Sequence, residues 1–598
     1  MKKINRSRLL TSLLLLIPIL FIAAFLFIPE ASPVPWVQTQ GPYGGYIHCL
    51  VIEGDNIFAG TEGGGVFLSE DKGVSWKEVN EGLTSKNVYS LAFGGSTVFA
   101  GTNGGIFLSA DNGDSWKPAA SDLTDTIVLC LAIQGENFFA GTSNGIFRSI
   151  DNGVTWKAVN TGLTSLNVNS IVTDGTNVFV GTEDGISLSA DNGDRWKPVN
   201  TGLDITQINA LARNGKVLYA GTYGGGIFRS EDNGKSWEEI NSGLINKYVY
   251  SIAASDDFIY AGTEDGVYVS DNSGVTWRRA VSGITNTYVY SLAVDDAGLY
   301  VGTNGGGIYY SADHGGSFQA INTGMTNTHV GALARDGKTI YAGTSGAGVF
   351  LSEDDGDTWR ERNSGLTNPY VFTLAIKEDK IFAGTNGGGV FLSSDRGASW
   401  REVNSGLSNQ YVYSLAVKGA DIFAGTLGGG IFLLADNVTS WSPVNSGLTN
   451  AYVGSLAAEG ETIFAGTFGG GVFLSEDNGT NWTAVNAGLT NNQIFALTRS
   501  GKKLYAATPG DGVFLTKDHG ASWIQVNSGL SNTNIDALAV NGNTILAGTY
   551  GGGVFGSTNG GSSWSEDNSG LDGIDVYSFC ISGKKTLVGT NGRGVWKR

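Results

Sequence analysis

Proline and cysteine are nearly missing from this chain, and each scarcity excludes something. Ten prolines stand beside 91 glycines that follow no three-residue period, so a collagen-like rod is excluded. Three cysteines (Cys49, Cys130 and Cys580), none in a CxxC pair, exclude a disulfide framework and read as small residues buried in strands. Cys49 and Cys580 approach one another only if the first and last repeat units are neighbours. Four histidines (His48, His314, His329 and His519) do not cluster, so a metal site or a Ser-His-Asp arrangement has no support. Positive charge is short as well. The formal charge is −18 and the cations are scattered singly, which excludes nucleic acid as a partner. A 3.6-residue helical stripe is absent beyond the N-terminal segment. What remains is apolar and aromatic, with 41% hydrophobic residues and 14 tryptophans, too much for a disordered chain.

There is one long apolar run. Residues 9–29 carry no charge and follow Lys2, Lys3, Arg6 and Arg8. At ~1.5 Å per residue such a run matches a ~30 Å hydrocarbon slab. The basic flank belongs in the cytoplasm, which sends the rest of the chain outward. Residues 1–34 therefore read as a membrane anchor, with a cleaved signal peptide as the alternative. The length of the run and Pro33 just after "PEAS" favour the anchor. No Cys follows closely enough for a lipid-modified terminus. The expected location is the cell envelope, or outside the cell if the segment is cleaved.

The rest is repetitive. "SEDKGVSW" at residues 69–76 returns as "SADNGDSW", "SIDNGVTW" and further variants. The last residue of this box falls at Trp76, Trp116, Trp156, Trp196, Trp237, Trp277, Phe318, Trp359, Trp400, Trp441, Trp482, Trp523 and Trp564, always 40 or 41 residues apart. Such a period means a solenoid or a propeller. One unit, "NVYSLAFGGSTVFAGTNGGIFLSADNGDSWKPA" from Asn87, holds four short apolar or alternating runs parted by Gly, Asn or Asp. Four antiparallel strands, here named a to d, make a propeller blade. The last unit stops at Arg598 after three runs, while Trp36 near the start sits where a fourth strand would place its box tryptophan. A strand at 35–40 completing the last blade removes an exposed edge and brings the number of blades to fourteen. The expected fold is all-β, as two seven-bladed rings over 35–325 and 326–598. A single larger ring is the alternative, because the uniform period shows no linker near residue 325.

The box Ser-x-Asp-x-Gly-x-Ser/Thr-Trp resembles the Asp-box, or BNR, repeat of sialidases, tandem-propeller xyloglucanases, sortilin-type receptors and a photosystem II assembly factor. The resemblance covers essentially the whole chain after residue 35 and implies a propeller; these families do unrelated things on one architecture. Asp71, Asp111, Asp151, Asp191, Asp232, Asp313, Asp354, Asp395, Asp436, Asp477 and Asp518 are expected to be structural. In a tight turn an Asp side chain accepts backbone N–H bonds, and the Gly two residues on permits a positive φ. The Trp packs on a neighbouring sheet. Asn272 and Asn559 keep the acceptor without the charge, and Phe318 keeps the bulk. The box lacks the wider ligand spacing of a calcium loop.

Enzymes on this scaffold carry catalytic groups on loops that outgrow the repeat, and no unit here does. No Arg-Ile-Pro stretch occurs, arginines such as Arg148, Arg229 and Arg335 stand singly, and the long insertions of xyloglucanases are absent. No carboxylate pair is nominated at glycosidase spacing. The glycines of "TNGGGV" make b–c turns, not a phosphate loop. The expectation is a protein that is not an enzyme, with no catalytic residue, no cofactor and no metal. The loops leading into strand a and the b–c loops leave one face, and the boxes leave the other. Sequence variation gathers on the first. Tyr248, Tyr288, His329, Tyr370, Tyr411 and Tyr452 precede strand a in blades 6 to 11, where blades 2 to 5 have Asn87, Ile127, Asn167 and Gln207. Tyr223, Phe468 and Tyr550 follow the Gly-Thr of strand b, a position that elsewhere holds Leu427, Glu62, Glu183, Glu264 or Asn. These nine (Tyr223, Tyr248, Tyr288, His329, Tyr370, Tyr411, Tyr452, Phe468 and Tyr550) are the candidate ligand-binding residues, since aromatics and amides suit a sugar or peptide. The competing reading packs each ring locally on the next blade. The function expected is an extracytoplasmic scaffold, held in the membrane through residues 9–29, that binds an unidentified protein or glycan. The alternatives are a glycan hydrolase of sialidase or xyloglucanase type and a photosystem-assembly-like protein.

Overall fold

The second run of each unit is apolar throughout, as in Asn56–Thr61 (NIFAGT) or Thr97–Thr102, and almost every residue in it is buried. A strand covered on both faces loses the alternation of a half-exposed one, so such sheets must stack face to face. The fourth strand is the reverse: Lys77–Glu78 and its counterparts are two residues long and exposed. The computed structural model shows this arrangement. It describes residues 35–598 apart from 42, 120–122, 124–125, 256, 281–282, 437, 461, 572 and 583–584. The segment at 9–29 lies outside the described residues.

Every blade is an antiparallel sheet in the order a-b-c-d, and the chain closes two rings of seven. In the first, strand a of blade 1 (Gly44–Glu53) lies beside that of blade 2 (Val88–Gly94) and that of blade 7 (Val289–Asp295). In the second, strand a of blade 8 (Val330–Asp336) lies beside those of blade 9 (Val371–Lys377) and blade 14 (Val576–Ser582). The core is therefore distributed between blades. Phe58, Val66 and Leu68 of blade 1 pack on Val88, Val98 and Trp116 of blade 2. Blade 1 meets blade 7 through Ile57, Phe67, Tyr300 and Met325, and blade 8 meets blade 14 through Ile340, Phe350, Leu587 and Val595.

The rings close differently. All four strands of blades 1 and 7 are contiguous in sequence, whereas the outer strand of blade 14 is Val37–Gln38, paired with Lys597 and Trp596. Trp36 is 3% exposed, and its Nε1 donates to Asp567 O at 2.7 Å. Trp76 makes the same bond to Ile321 O of blade 7 at 2.7 Å, and Trp116 to Val79 O at 2.8 Å. Each of these tryptophans fastens its blade to the preceding one. Within the first ring, Tyr46 pairs with Asn304 and fuses the sheets of blades 1 and 7, and Gly44 and Gly45 pair with Thr326 and Asn327, where the chain leaves blade 7 for the second ring.

The boxes repeat one set of bonds. Ser69 Oγ donates to Asp71 Oδ1 at 2.8 Å, Gly73 N donates to Ser69 Oγ at 2.7 Å, and Ser75 N donates to Asp71 Oδ1 at 2.9 Å. Blade 9 repeats the set around Asp395. The residue after the Asp takes a left-handed φ near 57° in Lys72 and Asn112, and the glycine that follows has φ 90° in Gly73. Asn272 and Asn559 accept the same backbone bond, at 2.9 Å, from Thr276 N and Ser563 N. The turn therefore needs an acceptor and not a charge. In blade 10, Leu434 and Val438 stand in place of the box serine and glycine, and Lys377 Nζ reaches Asp436 Oδ1 at 3.1 Å. All three cysteines are free thiols; Cys49 lies in the first ring and Cys580 in the second, and burial pushes the Cys49 thiol up to about 12.

Candidate functional site

Strand a opens with an irregularity the sequence does not announce. Val88 pairs with Thr102 and Ser90 with Gly101, leaving Tyr89 as an extra residue in the ladder. The same bulge recurs at His48, Tyr250, Tyr290, Tyr413, Asp536 and Tyr577. A bulge bends the strand and re-aims its extra side chain. Because a strands sit side by side around each ring, these side chains gather at the channel mouth, on the face away from the boxes.

In the first ring they form an aromatic arc. Tyr250 meets Tyr290 edge-on at 5.4 Å, Tyr290 stacks near His48 at 6.1 Å, and His48 lies 5.0 Å from Tyr89. A carboxylate stands beside each limb. Tyr250 OH donates to Glu264 Oε1 at 2.8 Å, and His48 Nε2 lies 3.6 Å from Glu62 Oε2. The His48 imidazole holds Glu62 below the usual carboxylate range against a smaller opposing effect of burial. The bulge asparagines of blades 4 and 5 are tied down, Asn169 Nδ2 donating to Ile208 O at 3.0 Å and Asn209 Nδ2 to Val249 O at 3.1 Å.

The second ring carries an apolar arc, Phe372 on Tyr413 at 4.7 Å and Phe468 on Phe495 at 5.5 Å. On blade 13, next to the end of this arc, lies Asp536, whose buried Oδ2 has no hydrogen-bond partner among the described residues. Burial, then the nearby Asp575 charge, pushes this carboxyl up to about 7. Asp575 itself is well held: Oδ1 accepts from Gly551 N at 2.6 Å and Oδ2 from Asn591 Nδ2 at 3.1 Å. Tyr577 stacks on His329 at 4.9 Å, and burial drives the His329 imidazole down to about 4, so it is neutral at pH 7.

The nine aromatic candidates divide into two groups. Tyr223, Tyr248, Tyr411, Tyr452 and Tyr550 are 39–60% exposed on the mouth face. The first two meet edge-on at 4.9 Å where the b–c loop of blade 5 bridges to the start of blade 6. The same loop needs Gly226, with φ 84°, because Asn241, which accepts from Ile227 N at 2.8 Å, stands where a Cβ would be. The other group is packed. Tyr370 OH donates to Asn304 O at 3.0 Å and accepts from Asn286 Nδ2 at 3.2 Å, fastening the second ring to the first, with Tyr288 edge-on at 6.1 Å. His329 is stacked on Tyr577 and Phe468 belongs to the apolar arc.

Beside the ring junction the b–c loops and strand a approaches of blades 1, 2, 13 and 14 enclose a cleft of about 520 Å³. Glu62, Lys86, Asn87, Tyr550, Asp575 and Arg593 are among its lining residues. Of these, sequence reading nominated only Tyr550. His48, Asp536, Lys86 and Arg593 were not singled out, although the residue after the first Val or Ile of strand a, the most varied within an otherwise uniform run, was a usable signal for the first two. Among the described residues no group of three His, Cys, Asp or Glu side chains is placed to hold a metal ion.

Comparison with known proteins bears on the fold. Residues 140–248 match the DUF6242 beta propeller domain. No curated protein matches the sequence. Among solved structures the chain is similar to an ancestral GH74 enzyme, at 18% identity over 94% of this chain and 98% of that one, with a TM-score of 0.67. It is also similar to the GH74 xyloglucanase from Xanthomonas campestris, at 16% identity over 94% and 99%, with a TM-score of 0.60. A GH74 enzyme from Niastella koreensis aligns at 16% over 94% and 99%, with a TM-score of 0.55. At these identities the likeness is one of fold: the chain is a tandem β-propeller protein.

Proposed function

We propose that this protein binds a glycan across the mouth face of its two rings, outside the cytoplasm, and does not turn it over. The observation that carries the reading is the placement of Tyr223, Tyr248, Tyr411, Tyr452 and Tyr550. All five stand 39–60% exposed on the face that also carries the amides and carboxylates of the mouths. Flat apolar surface stacks on sugar rings, and neighbouring polar groups take up hydroxyls. The apolar N-terminal run is the support for an extracytoplasmic location. The test is affinity electrophoresis of the full chain in gels containing soluble β-glucan or galacturonan, with Tyr411→Ala and Tyr452→Ala beside it. Retardation by at least one polysaccharide, weakened about tenfold in affinity by each substitution, is expected. Unretarded migration in both gels contradicts the proposal.

A second reading, glycan hydrolysis, is favoured by one feature. Asp536, whose buried Oδ2 has no hydrogen-bond partner among the described residues, holds its proton to about pH 7, as a general acid must. Reducing ends released from either polysaccharide by the wild type, and lost in Asp536→Asn, would establish hydrolysis in place of binding alone.

A further inference from the structure

The cleft beside the ring junction is lined by two cations, one from each ring: Lys86 before strand a of blade 2 and Arg593 in the b–c loop of blade 14. Neither makes an ion pair within 4 Å among the described residues, although the surface elsewhere pairs such groups, as in Lys77 with Glu70 and Arg360 with Glu353. Among the described residues the Lys86 ammonium has a single long contact, 3.4 Å to Asn80 O, and the Arg593 guanidinium donates to no acceptor. Burial and the neighbouring Arg593 charge act together on Lys86 and bring it down to about 8, against the opposing pull of Glu78 and Glu81.

The acids in the same cleft are already engaged. Both oxygens of Asp575 accept bonds from Gly551 N and Asn591 Nδ2, and Glu62 faces His48. Asn87 Oδ1 accepts from Gly63 N at 2.8 Å, which leaves its Nδ2 as a further donor. The cleft therefore combines carboxylates that already face other groups with an amide donor and two cations that have no ion-pair partner among the described residues. Two like charges brought together out of water are costly, and an anion between them removes that cost. A guanidinium beside an ammonium suits a planar carboxylate, which takes two parallel N–H bonds from the first and one from the second. Tyr550, 60% exposed at the edge of the cleft, offers a face for the sugar ring that bears the carboxylate.

We infer that Lys86 and Arg593 form a carboxylate-binding subsite between the two rings, and that the glycan bound there is an acidic one, carrying hexuronate units. The inference rests on the glycan-binding reading above and narrows it.

The test is calorimetric titration of the full chain with an oligogalacturonide and with its carboxyl-reduced, neutral counterpart. Lys86→Gln and Arg593→Gln are expected to weaken the acidic ligand about tenfold each. Lys86→Arg should recover most of that loss and Arg593→Lys, which keeps the charge without the two parallel N–H bonds, only part of it, and Lys117→Gln on an exposed outer strand should change nothing. Rescue by the conservative changes separates a charge effect from damage to the fold. Equal binding of acidic and neutral ligands, with both glutamine variants unaffected, overturns the acidic subsite and leaves the glycan reading standing. Acidic binding indifferent to both glutamine variants overturns this location. Binding of neither ligand overturns the acidic subsite, and the β-glucan gel then decides the glycan reading by itself.

Discussion

Blade 2 carries Asp111 at one end of its sheet and Tyr89 at the other, and the two positions obey different constraints around the rings. Outside blade 10, the counterparts of Asp111 make one set of backbone and hydroxyl bonds, and the two asparagines found there accept the same backbone bond. The counterparts of Tyr89 include an imidazole, a carboxyl, amides and aromatic rings, with different neighbours each time. The difference has a backbone cause. The box residue must satisfy amides in a turn with positive φ, which few side chains manage. The bulge residue is released from the ladder, so the fold does not dictate its identity. One face is a fastening repeated for stability, and the other is where sequence is at liberty to specify a ligand.

The contrast can be strained at several points. The largest effect is expected at ring closure. Trp36→Ala removes a buried indole and the Nε1 bond to Asp567 O, and should cost about 3–5 kcal/mol in denaturant unfolding. Hydrogen exchange should show the loss first in Val576–Ser582 and Val595–Lys597, with the first ring still protected. Protection lost evenly in both rings would mean that they do not unfold as separate units.

Asp536→Asn comes next. The folded carboxyl titrates at about 7, above its unfolded value near 4. The proton bound in the fold stabilises it below pH ~4, and that contribution disappears as pH rises through 7. The amide variant should therefore gain roughly 1–3 kcal/mol over the wild type at pH 8 and little at pH 4. Equal stability differences at both pH values would place Asp536 in water.

Smaller effects belong to the boxes. Hydroxyl and amide bonds, led by that from the Ser399 hydroxyl, hold the Asp395 carboxyl down to about 2. A depressed folded value gives stability that is present above pH ~4 and fades as pH falls towards 2. Asp395→Ala should lower the melting temperature at pH 7, while Asp395→Asn should stay near the wild type there and flatten the acid slope. A large loss in Asp395→Asn at neutral pH would show that the charge matters for more than the turn.

Most of the scaffold was legible because its reasons are local. The spacing of Trp76 to Trp564 gives the blade, the buried run at Asn56–Thr61 gives stacked sheets, and Trp36 in the place of a box tryptophan points to the last blade. The site was less legible because its reasons are not local. Lys86 and Arg593 are 507 residues apart in sequence (593 − 86) and meet only because the rings adjoin at blades 1 and 14. His48 and Asp536 depend on a bulge with no glycine or proline to mark it. Tyr370 looked like Tyr411 in sequence, yet the ring junction buries the first in bonds to Asn286 and Asn304 and leaves the second 51% exposed.

The most direct measurement titrates one glycan into two variants of the full chain. The first replaces Asp111, Asp232, Asp395 and Asp518 by Asn; the second replaces Tyr223, Tyr411 and Tyr452 by Ala. If the recurring acids only hold turns and recognition lies on the mouth face, the first variant keeps its affinity within about twofold and the second loses at least tenfold. A folded first variant that no longer binds, beside a second that binds unchanged, would contradict the account.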